Sequence, residues 1–220
     1  MSTLNHPAVS TLLDQLFAAS DTTKAEFSSR FSNLDAVERN RLVADSSHRE
    51  LYAYAKNAHL AVSRSTGKLL YILARLMNAR TIVEFGTSFG VSTIHLAAAV
   101  KDNGGGKVTS TEAESSKVIG ARENLAKAGL AKWVDILEGD ALQTLSSHAS
   151  RSIDALFLDG AKPLYPQIFA LVEPQLRVGG LVIADNADGS PEYLSRLRND
   201  PRYCSVRIHE DVELSIKLED

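Results

Sequence analysis

Thr81-Ile82-Val83-Glu84-Phe85-Gly86-Thr87-Ser88-Phe89-Gly90-Val91-Ser92 is the stretch that decides the architecture of this 220-residue chain. Its first five residues form a short, largely apolar run suited to a buried strand. Beyond Gly90, Ile94, Leu96, Ala97 and Val100 recur at helical spacing. Strand, glycine turn and helix in succession make one βα unit. Glycines at such a junction let the backbone turn tightly and approach a ligand, with free N–H groups of the helix start facing it. A plain structural turn is the other reading. The spacing is GxxxG rather than GxGxxG, so the dinucleotide fingerprint is not met and a pyrophosphate cradle is disfavoured.

Working outward, four further apolar runs follow: Lys107–Thr111, Trp133–Leu137, Ile153–Leu158 and Gly180–Asp185. Helical segments separate most of them, which implies βαβ units with right-handed crossovers and one parallel sheet. The end differs. Tyr203–His209 and Val212–Leu218 alternate apolar and polar residues across a tight Glu210–Asp211 turn, a hairpin whose last strand runs antiparallel to the rest. Upstream, the first sixty residues read as helical: Val9, Leu12, Leu13, Leu16 and Phe17 are spaced as one helix face, and apolar positions recur between Leu34 and Leu60. Ser65 or Thr66 then caps a helix carrying Leu69, Leu70, Leu73, Leu76 and Met77. The expectation is a single α/β domain over 1–220, with a helical extension at 1–60 and a Rossmann-like core at 61–220. Its sheet has seven strands, mostly parallel, closed by an antiparallel hairpin.

Composition narrows the function classes. A net charge of −3 gives no electrostatic case for nucleic acid or an anionic membrane. No apolar stretch approaches the ~20 residues of a membrane span, and residues 1–17 lack the pattern of a secretory signal. Cys204 is the only cysteine and the six histidines are scattered, which excludes an intrachain disulfide and a thiolate metal cluster. A cytoplasmic setting follows as the expectation.

Acids stand at the ends of successive strands. Glu112 can accept both hydroxyls of an adenosine ribose, or be a solvated surface acid. Asp140, in Glu138-Gly139-Asp140-Ala141, can reach an adenine amino group, cap a helix, or do both. A glycine turn and two acids at three consecutive strand ends are more specific together than any one alone.

From about Val62 to Asn186 the chain resembles the cation-dependent O-methyltransferases, the family that includes catechol and caffeoyl-CoA O-methyltransferases. The likeness rests on Val62-Ser63-Arg64-Ser65-Thr66-Gly67-Lys68-Leu69-Leu70, on the glycine segment, on Phe157-Leu158-Asp159-Gly160-Ala161-Lys162 and on Ala184-Asp185-Asn186. It implies a class I methyltransferase fold that binds S-adenosylmethionine. By the same likeness Val62, Glu84, Gly86, Thr87 and Ser92 attend the methionine moiety, Glu112 the ribose, and Asp140 with Ala141 the adenine. Asp159, also counted among the cofactor contacts, joins Asp185 and Asn186 as ligands of a divalent cation, Mg²⁺ first, and Lys162 is the catalytic residue on the substrate hydroxyl. Physical chemistry supports the arrangement. Asp159 and Asp185 end neighbouring strands, ~4.8 Å apart, and offer only hard oxygen ligands. Each also has a bland reading, as a helix cap, a turn pair or a solvated lysine.

The chain departs from the family pattern at Gly160, where Ala or His is commoner. Ala161 stands where animal catechol enzymes have Trp. After Asn186 no acid matches the family's late substrate-chelating residue, Asp188 and Glu192 being only nearby. The expected reaction is cation-assisted methyl transfer to a hydroxyl of a small catechol-like aromatic, with no nucleic acid or membrane as partner. The N-terminal helices either cover the site or bury a homodimer contact. An NAD-type oxidoreductase and a non-catalytic binding module are the alternatives.

Overall fold

The computed structural model describes residues 2–43, 50, 54–147, 152–209 and 211–220. Helix α1 spans Pro7–Ser32, with Pro7 in the first turn, and α2 spans Ala36–Val43. Helix α3, Arg64–Leu76, is capped by Ser63, whose hydroxyl accepts from the Thr66 amide at 3.0 Å. The expected caps Ser65 and Thr66 lie inside the helix instead. Ser63 wins because its extended backbone aims Oγ at the free amide of the first turn. From there strands and helices alternate: β1 Thr81–Phe85, α4 Val91–Asp102, β2 Lys107–Glu112, α5 Ser115–Lys127, β3 Val134–Glu138, α6 Ala141–Ser147, β4 Ile153–Leu158, α7 Tyr165–Val172, β5 Leu176–Ala184 and α8 Pro191–Asn199. The hairpin strands are β6, Tyr203–His209, and β7, Val212–Lys217.

All seven strands form one sheet in the order β3-β2-β1-β4-β5-β7-β6. The first five are parallel, and β7 lies antiparallel between β5 and β6. The strand order reverses between β1 and β4, and the crevice at their carboxyl ends is where open α/β sheets place ligands.

Pleating divides the core into two layers. Ile82, Val108, Phe157 and Ile183 face α1, α3, α4 and α5; Val83, Phe85, Leu156, Leu158 and Val182 face α6, α7 and α8. The α1 positions Val9, Leu12, Leu13, Leu16 and Phe17 are all buried in the first layer, so the extension packs on the core.

The helical reading of the first sixty residues needs correction at its end. Residues 44–49 and 51–53 lie outside the described residues, and so does Glu210 of the hairpin turn. Residues 59–63 are not helical. They form a strap pinned to α1 from the side: Ser20 Oγ donates to the His59 carbonyl at 2.6 Å, the His59 amide to Thr23 Oγ1 at 2.9 Å, and Lys24 Nζ to the Ala61 carbonyl at 2.6 Å. Side-chain partners on another element satisfy the strap's backbone groups, which a helix would have satisfied internally. Among the described residues no helix is long and apolar enough to cross a membrane.

Candidate active site

The loop after β1 sits in the crevice at the switch point. Gly86 has φ +105, and a Cβ there would lie 2.6 Å from the Asp159 carbonyl oxygen at the end of β4. Only glycine allows both the backbone angle and that approach. Gly86, Thr87 and Ser92 line a cleft beneath the strap together with Asp159. The strap's lid over this cleft is aromatic: the His59 ring stacks on Phe89 at 3.7 Å with 9° between planes. Glu84 and Val62 do not reach the cleft wall. β1's alternation turns Glu84 under α4, where its Oε2 accepts from the Thr93 and Ser110 hydroxyls, and Val62 packs in the core.

Glu112 ends β2 with both oxygens oriented. Oε2 accepts from the Ser88 amide at 2.8 Å and Oε1 from the Glu114 amide at 2.9 Å. Each carboxylate oxygen has a further acceptor site, so the acid is held rigid and can still take two hydroxyls. It lines a cavity of about 530 Å³ with Asp140, Ala141, Ala161 and Leu164. Asp140 Oδ1 accepts from the Leu142 amide at 3.0 Å, so the helix-cap role is realised. Lys117 opens onto the same cavity. It is almost fully buried, and burial lowers its pKa while Glu112 and Glu114 raise it.

A second cavity, about 270 Å³, joins the strap to the ends of β4 and β5. Strand pairing Leu158 with Ala184 brings Asp159 and Asp185 side by side, as the spacing implied. The Asp185 amide donates to the Leu158 carbonyl at 2.9 Å. Burial raises the pKa of both acids. For Asp185, burial first and then the charge of Asp159 push it up to about 7. Lys162 Nζ lies 3.1 Å from Asp159 Oδ1, with the two side chains 21% and 12% exposed. Asn186 adopts the left-handed conformation, φ 51, which Asn tolerates better than most residues. Its amide nitrogen donates to Asp211 Oδ2 at 2.7 Å, which leaves the amide oxygen as the acceptor.

Two buried carboxylates that disfavour each other's ionisation, with one amide oxygen, fit a hard divalent cation, which would remove that cost. Among the described residues no three His, Cys, Asp or Glu side chains form a metal cage, so the candidate set is this one of two acids and an amide.

Three site residues escaped the sequence reading. Asp211 reads in sequence only as part of a hairpin turn, and its bond to Asn186 spans 25 positions. Lys117 reads as an ordinary lysine of α5. Lys24, on α1, lines the second cavity with Asp159, Lys162, Asp185 and Asn186. Nothing in its local sequence marks it.

Comparison with known proteins identifies the family of this chain. A family model described as O-methyltransferase matches residues 36–208. A catechol O-methyltransferase of Niastella koreensis is 33% identical over 67% of this chain and 67% of its own length. One from Mycobacterium tuberculosis is 34% identical over 60% of this chain and 59% of its own. The O-methyltransferase TomG of Streptomyces achromogenes, solved in complex with SAM, superposes with a TM-score of 0.69 at 28% identity, covering 85% of this chain and 91% of that one.

Proposed function

The chain belongs to the O-methyltransferase family, and from that premise we propose that it transfers the methyl group of S-adenosylmethionine to a hydroxyl of a small, catechol-like aromatic acceptor. The observation that carries this reading is the convergence of Asp159, Asp185, Asn186 and Lys162 on one cavity that adjoins the Gly86 loop. The names of the curated relatives and the SAM complex of the neighbour structure support it.

In this reading Glu112 takes the ribose hydroxyls, and Asp140 and Ala141 border the adenine. Gly86, Thr87, Ser92 and Asp159 border the methionine end, with Glu84 and Val62 holding that wall from behind. Asp159, Asp185 and Asn186 would hold the divalent cation, Mg²⁺ first, which when bound favours ionisation of the acceptor hydroxyl and fixes its position. Asp211 keeps the Asn186 oxygen turned to the cavity. With Lys162 as the neutral amine, the hydroxyl proton passes to its Nζ, the oxygen–carbon bond to the methyl group forms, and the sulfur–carbon bond breaks to release S-adenosylhomocysteine. The strap, with its His59–Phe89 stack, keeps water from the reacting groups.

Calorimetric titration with S-adenosylmethionine, with and without Mg²⁺, followed by turnover of catechol, tests this. Glu112→Ala should lose two charge-assisted hydrogen bonds, roughly 1.5–3 kcal/mol each, and so at least about tenfold in cofactor affinity. Excess EDTA should abolish turnover and leave cofactor binding largely intact. Unchanged affinity in the folded Glu112 variant would show the cofactor misplaced, and full activity in EDTA would remove the cation from the reading.

A further inference from the structure

The methyl-transfer reading gives Lys24 no task, yet α1 delivers its ammonium into the reaction cavity. Lys24 is half-buried, and it lines the 270 Å³ space with Asp159, Lys162, Asp185 and Asn186. Its position lies outside the residues matched by the family model, so family membership does not account for it. The other two ammonium groups of that cavity already have acidic company. Lys162 is paired with Asp159, and Lys117 is flanked by Glu112 and Glu114. Among the described residues no carboxylate lies within ion-pair distance of Lys24.

One of its three N–H donors goes to the Ala61 carbonyl in the strap, and that bond fixes where the ammonium points. Two donors are left over, together with a full positive charge in a confined space. Asp159 and Asp185 share the cavity without bonding to Lys24, which leaves the ammonium available.

We propose that Lys24 is a carboxylate-binding residue, which pairs with a carboxylate carried into the cavity by one of the two reactants. The inference rests on the cavity being where cofactor and acceptor meet. Two sources of that group are chemically equivalent at Lys24: the amino-acid end of the cofactor, and an acid substituent on the aromatic acceptor. The pairing explains why the strap and α1 are stitched together at Ala61, since the same side chain then holds the lid and the ligand.

Affinity ratios separate the sources. Calorimetry compares S-adenosylhomocysteine with its decarboxylated analogue, and 3,4-dihydroxybenzoate with catechol, in wild type, Lys24→Gln and Lys24→Arg. Lys24→Gln should lower the carboxylate-to-neutral ratio about ten- to hundredfold in one of the two pairs, the size of a charge-assisted hydrogen bond in a partly dry site. Lys24→Arg, which keeps the charge, should retain most of that ratio. A fall in the first pair assigns the cofactor, a fall in the second the acceptor. A purely structural lysine would weaken both members of each pair by the same factor, and that result overturns the inference while leaving the methyl-transfer reading standing. Conversely, a wild type that binds no S-adenosylhomocysteine but takes 3,4-dihydroxybenzoate in a Lys24-dependent way refutes the reading and keeps the inference.

Discussion

Lys162 owes its place to its neighbours. Its ammonium is held by Asp159 and lies 5.4 Å from the Tyr165 ring centroid, and a Cβ on Gly189 would stand 2.9 Å from its Cγ. A lysine pinned this way has a defined reach, which a base acting on a bound hydroxyl needs. Lys162→Ala should retain fold and cofactor binding and lose roughly 10²–10⁴-fold in kcat, with the loss shrinking as pH rises and the acceptor ionises unaided. Lys162→Arg should not rescue, because a guanidinium keeps its proton at any working pH. Substantial rescue by Arg in a pH–rate series would reassign the residue to an electrostatic role. Glu84 is the opposite case, an acid buried without a cation. Burial pushes its carboxyl up to about 7 from 4.5, against the hydroxyls that hold it and with a further push from Asp159. A carboxyl with a raised folded pKa binds its proton more tightly when folded. That contribution to stability is full below the unfolded pKa and is lost as pH rises through about 7. Glu84→Gln removes the titration, so the melting temperature of the variant minus that of wild type should climb between pH 5 and 8. A flat difference over that range would mean Glu84 titrates normally.

At the level of elements, the departure at Gly160 has a partner one strand away. A Cβ at Gly160 would sit 2.4 Å from the Phe85 ring, which ends β1 and packs edge-on to Tyr165. β1 and the turn after β4 thus share one volume, filled here from the Phe85 side. Gly160→Ala should cost about 1–3 kcal/mol by overpacking, and Phe85→Leu should return part of it in the double variant. Urea denaturation of the four proteins measures the coupling, and strictly additive effects would show that the ring moves aside freely. β5 shows the limit of pattern reading at this scale. It starts at Leu176 rather than Gly180, four residues early, because Arg177 anchors to Asp154 at 2.7 Å and pairing with β4 resumes across a register shift. Gly179-Gly180 falls inside that register shift, with Leu176 paired to Ile153 before it and Leu181 to Ala155 after it.

For the whole molecule, the sequence by itself determined what depends on near neighbours. The βα alternation, the bounds of β1, β4 and β6, the antiparallel hairpin and the acids at the strand ends all follow from periodicity and turn chemistry within windows of a few residues. Asp159 beside Asp185 also follows, because adjacent parallel strands leave their carboxyl ends together. Only the tertiary structure decided the rest. It took the chain's threading to give Glu84 its hydroxyl partners on α4 and β2 and to set Asp211 against Asn186. Threading also laid residues 59–63 along α1 and carried Lys24 from the extension into the cavity. The hydrogen bonds among these contacts join positions 9 to 39 residues apart and leave no local periodicity. Polar side chains such as Lys24 and Asp211 are at home on a solvated face, so nothing in their own stretch of chain reveals that packing has brought them inside.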